Sequence, residues 1–263
     1  MLVDYHMHLR ACGRASEELD HAVEAVERYI EQALEHGVDE IGITEHVYYF
    51  RETRDLWALP YQLDRCNEDL DRYCDAVLEA KRRGLPVKLG LEVDWLPDRA
   101  DELAAVLEPY PWDYLVGSVH WIGGLAVDQK PGLWAGRSVE DVWELYAREL
   151  EAAARSGHFD VLAHPDLVKI FGDRVEWNWQ PVIDALDGVA LEVSTAGLHK
   201  PVGELYPAAE LLRGASRITL ASDAHLAEDV GREFGAAVEH ARAAGFDTVT
   251  VFDGRSSRQE PIG

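Results

Sequence analysis

Apolar residues recur along the chain in two alternating patterns. The first is a series of short, nearly unbroken runs: Leu2 to Tyr5, residues 40–44, Val87 to Val93, Tyr114 to Val119, Val161 to Ala163, Val189 to Val193, Ile218 to Ala221 and Thr248 to Phe252. The second has helical spacing, as in Leu19, Ala22, Val23, Val26, Ile30, Ala33 and Leu34. There Ser16 suits the N-cap and Gly37 the stop. Leu63 to Leu78, Asp101 to Leu107, Val139 to Leu150 behind a Ser138 cap, and Glu233 to Ala244 predict four further helices. Strands that are apolar on both faces belong in a parallel sheet covered by helices. Seven or eight such β–α units predict an α/β closed barrel, with a doubly wound open sheet as the structural alternative. Without an evident linker or repeat, residues 1–263 read as a single domain, with 253–263 as a loose polar tail. Tyr48 to Tyr61 reads as a polar, aromatic loop, and a Gly-rich loop runs through Gly136.

Composition narrows the classes. The 263 residues carry 25 Lys and Arg against 49 Asp and Glu, a net charge of −24, and 47% are apolar. That supports a sizeable core and argues against disorder. So negative a chain is unsuited to a basic nucleic-acid track or to anionic lipid. It remains compatible with a small phosphorylated partner, because bound cations reverse the sign locally. No apolar run reaches the roughly 20 residues of a membrane span, and the N-terminus lacks signal-peptide features. Cys12, Cys66 and Cys74 have no metal-finger spacing, which points to a reducing cytoplasm.

The chemistry stands at the strand ends. In order these are His6-Met7-His8, Glu45-His46, Glu92-Val93-Asp94, Ser118-Val119-His120, His164-Pro165-Asp166, Glu192 and Asp223-Ala224-His225. In a parallel barrel these ends converge on one face. Residues two apart share a strand face, so His6 with His8, and Asp223 with His225, can grip one ion. A single buried His or carboxylate is usually hydrogen-bonded structure, but recurrence on seven strands would be costly without a cation. Imidazole and carboxylate donors without Cys suit zinc, iron or manganese. Six to eight donors exceed the needs of one ion, so Glu92 is expected to bridge two.

These stretches resemble the PHP (polymerase and histidinol phosphatase) superfamily. The resemblance runs through Asp4-Tyr5-His6-Met7-His8, Ile43-Thr44-Glu45-His46, Gly90-Leu91-Glu92-Val93-Asp94, Gly117-Ser118-Val119-His120, Ala163-His164-Pro165-Asp166-Leu167, Glu192 to Leu198 and Ser222-Asp223-Ala224-His225. Lys200 to Glu204 and Tyr206-Pro207 resemble its histidinol-phosphatase group. The resemblance implies a distorted (β/α)7 TIM-like barrel with two or three divalent ions at the C-terminal strand ends. It assigns His6, His8, Glu92 and Asp223 to the first ion, Glu92, His120 and His164 to the second, and His46 and His225 to the third. It implies a phosphomonoesterase in histidine biosynthesis acting on L-histidinol phosphate, with a metal-bridged hydroxide attacking phosphorus. Asp94, then His225, are the candidates to protonate the leaving group, Asp94 alternatively to hold the substrate amine.

Two departures bear on substrate and metal count. The group commonly has Cys-Gly-His-Ala where this chain has Cys12-Gly13-Arg14-Ala15, and Arg14 cannot ligate a cation. Glu17 or His21 could complete the third site, or Arg14 could itself grip phosphate. His199 stands where the group typically carries Arg, so Lys169, Lys200 or Arg99 would have to supply the missing cation. Tyr48, Tyr49, Phe50, Trp57, Trp95, Trp121 and Trp134 could shape a pocket or stack on imidazoles, although aromatics are usually core. The alternatives are another small phosphate ester, such as a nucleotide or sugar phosphate, and a metal-binding module without catalysis.

Overall fold

The structure is a computed structural model, and it describes residues 1–9, 21–129 and 136–263. Ser16, Glu17, Arg14 and Trp134, named above, lie outside the described residues. In chain order the elements are β1 (Val3–Asp4), α1 (Val23–Glu35), β2 (Glu40–Ile43), α2 (Pro60–Arg65), α3 (Leu70–Arg82), β3 (Val87–Leu89), β4 (Glu92–Asp94) and α4 (Ala100–Leu107). There follow β5 (Val116–Ser118), β6 (Trp121–Ile122), β7 (Leu125–Ala126), α5 (Val139–Arg155), β8 (Val161–Leu162), α6 (Gln180–Ile183), β9 (Ala190–Ser194), α7 (Ala209–Leu212), β10 (Ile218–Ala221), α8 (Phe234–Ala243), β11 (Thr248–Asp253) and β12 (Ser256–Pro261).

Two parallel sheets carry the architecture, in the orders β1-β2-β3 and β10-β9-β8-β5-β4. They meet at two seams. Tyr5 N donates to Leu220 O (3.0 Å), and a parallel bridge joins Met7 to Ala224. On the other side Gly90 N donates to Ile43 O and Glu92 N to Glu45 O, both at 3.0 Å, beside a His46–Glu92 bridge. The strands therefore follow one another around a ring of seven positions, with β3 and β4 sharing one. All their C-terminal ends face the same mouth. The distortion lies at the seams, where isolated bridges replace continuous ladders.

Several local expectations need correction. The run Val87 to Val93 is two strands in different sheets, broken at Gly90. The break has a packing cause: a Cβ on Gly90 would lie 2.7 Å from the Tyr114 ring, and Tyr114 is buried with its hydroxyl donating to Tyr5 O (2.8 Å). The helical stretch Leu63 to Leu78 is likewise two helices, the second starting behind Asp69, whose side chain accepts from Arg72 N. The Gly-rich loop contains the β6–β7 hairpin. The tail is not loose. β12 pairs antiparallel with β11 around Gly254 and Arg255, both at positive φ, as a type I′ two-residue loop requires. Met1 and Gly263 are hydrogen-bonded together at its end.

The long helices turn apolar stripes inward, such as Val142, Trp143, Tyr146 and Leu150 of α5, which starts from a Ser138–Asp141 capping box. No helix among the described residues is long and apolar enough to cross a membrane.

Candidate metal centre

The mouth of the ring gathers eight donors from six strand ends. His6 and His8 leave β1, His46 leaves β2, and Glu92 opens β4. His120 and His164 stand two residues past β5 and β8, and Asp223 and His225 follow β10. His164 (φ 27°) and Asp223 (φ 52°) are bent into the region that favours glycine. Such strain costs about 1–3 kcal/mol and persists where surrounding contacts enforce it.

Glu92 divides the cluster between its two oxygens. Oε2 is approached by His6 Nε2 (3.4 Å), His8 Nε2 (3.6 Å) and His46 Nδ1 (2.6 Å). Oε1 faces His120 Nε2 (3.4 Å) and His164 Nε2 (3.3 Å). Asp223 Oδ1 closes the first side, 3.4 Å from His8 Nε2 and 3.9 Å from His6 Nε2. The His8 ring is stacked between those of His46 and His225, each 4.4 Å away. Four donor triads result: His6, His8 and Asp223; His6, Glu92 and His164; His46, Glu92 and His120; His8, His46 and His225. Within each, the donor atoms lie within 4.8 Å of one another.

Hydrogen bonding does not account for this crowding. His6 Nε2, both His8 nitrogens, His46 Nδ1, His164 Nδ1 and Glu92 Oε2 are buried without a hydrogen-bond partner. Even the close approach of His46 to Glu92 lacks hydrogen-bond geometry. Each such atom costs about 1–3 kcal/mol if left so, and divalent cations would satisfy those that face inward. The residues therefore fit metal ions.

Protons are distributed unevenly over the same groups. Burial opposes charge on His120, but Glu92 and Asp94 outweigh it and push the ring up to about 10. His8 is pushed up to about 9 against burial, by Asp223 and Glu45. Burial holds His46 down to about 3 and, with His8 nearby, His225 to about 4. Burial would raise Glu92, yet the surrounding imidazoles hold it well below the usual carboxylate range. A metal must displace the protons on His8 and His120.

Behind the donors stands a layer of carboxylates. Glu192 accepts from His6 Nδ1 (2.7 Å) and from the backbone of His164 (3.2 Å). Asp94 accepts from His120 Nδ1 (2.9 Å). Glu45 accepts from Leu9 N (2.6 Å), its other oxygen 3.7 Å from His8 Nδ1. Each carboxylate lies beside the outer ring nitrogen, so Nε2 turns inward with its lone pair, as metal-ligating histidines require. Asp94, expected to protonate the leaving group or to hold the substrate amine, lies behind His120 and against a separate apolar cavity with Trp95, Leu103 and Phe159. His225 Nδ1 donates to Asp223 O (3.1 Å), which leaves Nε2 as the acceptor nitrogen of the neutral ring.

A cavity of about 420 Å³ opens over the donors. Tyr48, Tyr61, Trp121, Asp128, Lys200 and Arg232 line it with His46, Glu92, His120, His164, Asp223 and His225. Tyr48 stacks on His46 (4.9 Å, 18°), and Tyr49 meets it edge-on. Lys200 and His199 also line this cavity, although His199 is engaged by Glu233 (2.6 Å). Two other expected phosphate cations do not line it. Lys169 is buried, paired with Asp166 (2.7 Å) and donating to Leu205 O (2.8 Å). Arg99 pairs with Glu102 (2.7 Å) beside a different cavity. His21, considered for the third ion, packs on Phe50 and Tyr73 and belongs to none of the four triads. Arg232 was not singled out from the sequence.

A ring of parallel strands whose C-terminal mouth holds clustered imidazoles and carboxylates defines the class, and the PHP domain model matches residues 4–196. The chain belongs to the PHP domain family. The probable histidinol-phosphatase of Deinococcus radiodurans is 35% identical over 95% of this chain and 96% of its own. The histidinol-phosphatase of Bacillus subtilis is 27% identical over 90% of this chain and 98% of its own. Among solved structures, the histidinol phosphate phosphatase of Lactococcus lactis, complexed with zinc, L-histidinol and phosphate, shares the fold. Its TM-score is 0.73 at 22% identity, covering 98% of both chains.

Proposed function

We propose that this chain is a divalent-metal-dependent phosphomonoesterase that hydrolyses L-histidinol phosphate. The observation that carries the reading is the division of the donor cluster between the two oxygens of Glu92 beneath an open cavity. The names of relatives that match nearly full length support the substrate, and the zinc in the Lactococcus lactis complex supports the metal class. Zinc, iron and manganese all accept these donors.

His6, His8, Glu92 and Asp223 would hold one ion, and Glu92, His120 and His164 a second, with His46 and His225 beside His8 available to a third. Bound ions supply Lewis acidity towards phosphate oxygens and make water acidic enough to be a nucleophile near neutral pH. The chain does the rest. Glu192 and Asp94 fix the rings of His6 and His120 in the ligating tautomer. Tyr48, Tyr61 and Trp121 give the cavity aromatic walls for an imidazole, and Asp128 on its rim offers a carboxylate to an ammonium.

The test is a parallel assay of metal-loaded protein with L-histidinol phosphate and with nucleotide and sugar phosphates. The expected result is the highest kcat/KM for L-histidinol phosphate. A higher value for another ester would overturn the substrate, and inertness towards all phosphomonoesters would overturn the activity.

A further inference from the structure

We propose that Arg232 is the anion anchor of the cavity, gripping the phosphate group through its guanidinium. This rests on the phosphatase reading and names a side chain for a task the sequence had left to Lys169, Lys200 or Arg99. Among the described residues lining the cavity, the permanent cations are Lys200 and Arg232. Lys200 is exposed on a turn. Arg232 is only 23% exposed in its side chain, and its Nε is fully buried with no hydrogen-bond partner. Asp229 takes the other edge, at Nη1 (3.1 Å). A guanidinium offers its N–H groups as forks that match two oxygens of a phosphate. A single contact at Nη1 thus orients the side chain, and Nε is left without a partner.

The backbone beneath it is fixed from a distance. Gly231 has φ 67°, and a Cβ there would come within 2.6 Å of Val38. Its N–H donates to the buried carboxylate of Asp4 (2.9 Å), and Val230 O accepts from His36 Nδ1 (2.6 Å). The same Asp4 carboxylate accepts from Ser222 N (2.9 Å) and Ser222 Oγ (2.6 Å), the residue just before Asp223. One carboxylate therefore ties the turn that carries Arg232 to the strand end that carries a metal donor.

The experiment compares inorganic phosphate binding by calorimetry in the metal-loaded parent, Arg232→Gln and Arg232→Lys, with metal content measured on each sample. Arg232→Gln should weaken phosphate about 10- to 100-fold, the scale of a lost charged hydrogen-bond pair. Metal content should be unchanged. Arg232→Lys should recover part of the affinity, because it restores charge without the fork. The KM for L-histidinol phosphate should rise in the same order. Phosphate binding as tight as the parent's in a metal-replete Arg232→Gln protein would overturn the assignment. So would weakening that tracks metal loss in both variants, which would make Arg232 a scaffold residue. A parent that binds phosphate in an Arg232-dependent way yet hydrolyses no phosphomonoester would sink the proposed activity and leave this inference standing.

Discussion

Two layers of buried polar side chains meet at the mouth of the ring, and they behave in opposite ways. In the inner layer His6, His8, His46, His164 and Glu92 leave nitrogen or oxygen atoms without hydrogen bonds. In the layer behind, Asp4 accepts three bonds and Glu192 two, shared between both oxygens of each, and Tyr73 is bonded as well; Asp94 is bonded through Oδ1, with Oδ2 unpartnered. Both layers are largely withdrawn from water, and both contain carboxylates. Burial and residue type therefore do not separate a ligand from a support. Satisfaction does: a buried carboxylate with bonded oxygens is holding something, and one whose oxygens face bare imidazole nitrogens is waiting for an ion.

The largest effect should come from the centre of the inner layer. Glu92→Ala removes the oxygens that face both donor sets, so the loss should extend to both ions. Turnover should fall on the order of 10³-fold or more, because the charge stabilisation at the reacting phosphate goes with the metals. Elemental analysis should show both tightly bound ions reduced. Full metal occupancy in this variant would place Glu92 in the supporting layer and break the comparison.

A smaller effect is expected one layer out. Glu192→Gln keeps size and shape but lets an amide N–H compete for His6 Nδ1, which disturbs the tautomer that turns Nε2 inward. Loss of such an outer partner typically costs 10- to 100-fold in metal affinity. A competition titration against a chelator should show weaker binding, with activity restored by excess metal. Unchanged affinity would mean that Glu192 acts only through the backbone of His164.

Much of the inner layer was legible in the sequence. Strand-end position alone brought His6, His8, His46, Glu92, His120, His164, Asp223 and His225 to one face, since parallel strands must end together. Which way each side chain turns was not legible. Glu92 and Asp94 sit two apart on β4 and share its face, yet they reach opposite nitrogens of the His120 ring, Glu92 at Nε2 and Asp94 at Nδ1. Lys169 follows His164 closely but is drawn to Asp166 by a single 3-10 turn. Arg232 lies seven residues beyond the last donor, and its path depends on Asp4 at the other end of the chain. The paired tail was missed for a simpler reason: Asp253-Gly254 carries a hairpin signal that the polarity of its neighbours obscured.

The mildest test reaches the support layer where it touches no metal. Tyr73, on α3, places its hydroxyl 2.8 Å from both Ile43 O and Gly90 O. Those carbonyls flank the seam where β2 passes to β4, and Ile43 O also accepts from Gly90 N. Tyr73→Phe would leave Gly90 O without this donor in a site no water reaches, since Tyr73 is fully buried. The expected cost is about 1–3 kcal/mol of stability, read as a lower urea midpoint with an unchanged slope. Metal content and kcat/KM should stay at the parent level, because Glu92 keeps its own backbone bond to Glu45 O (3.0 Å). A variant that keeps its stability but loses metal would show that the seam positions Glu92 through Tyr73, and the two layers would then be one.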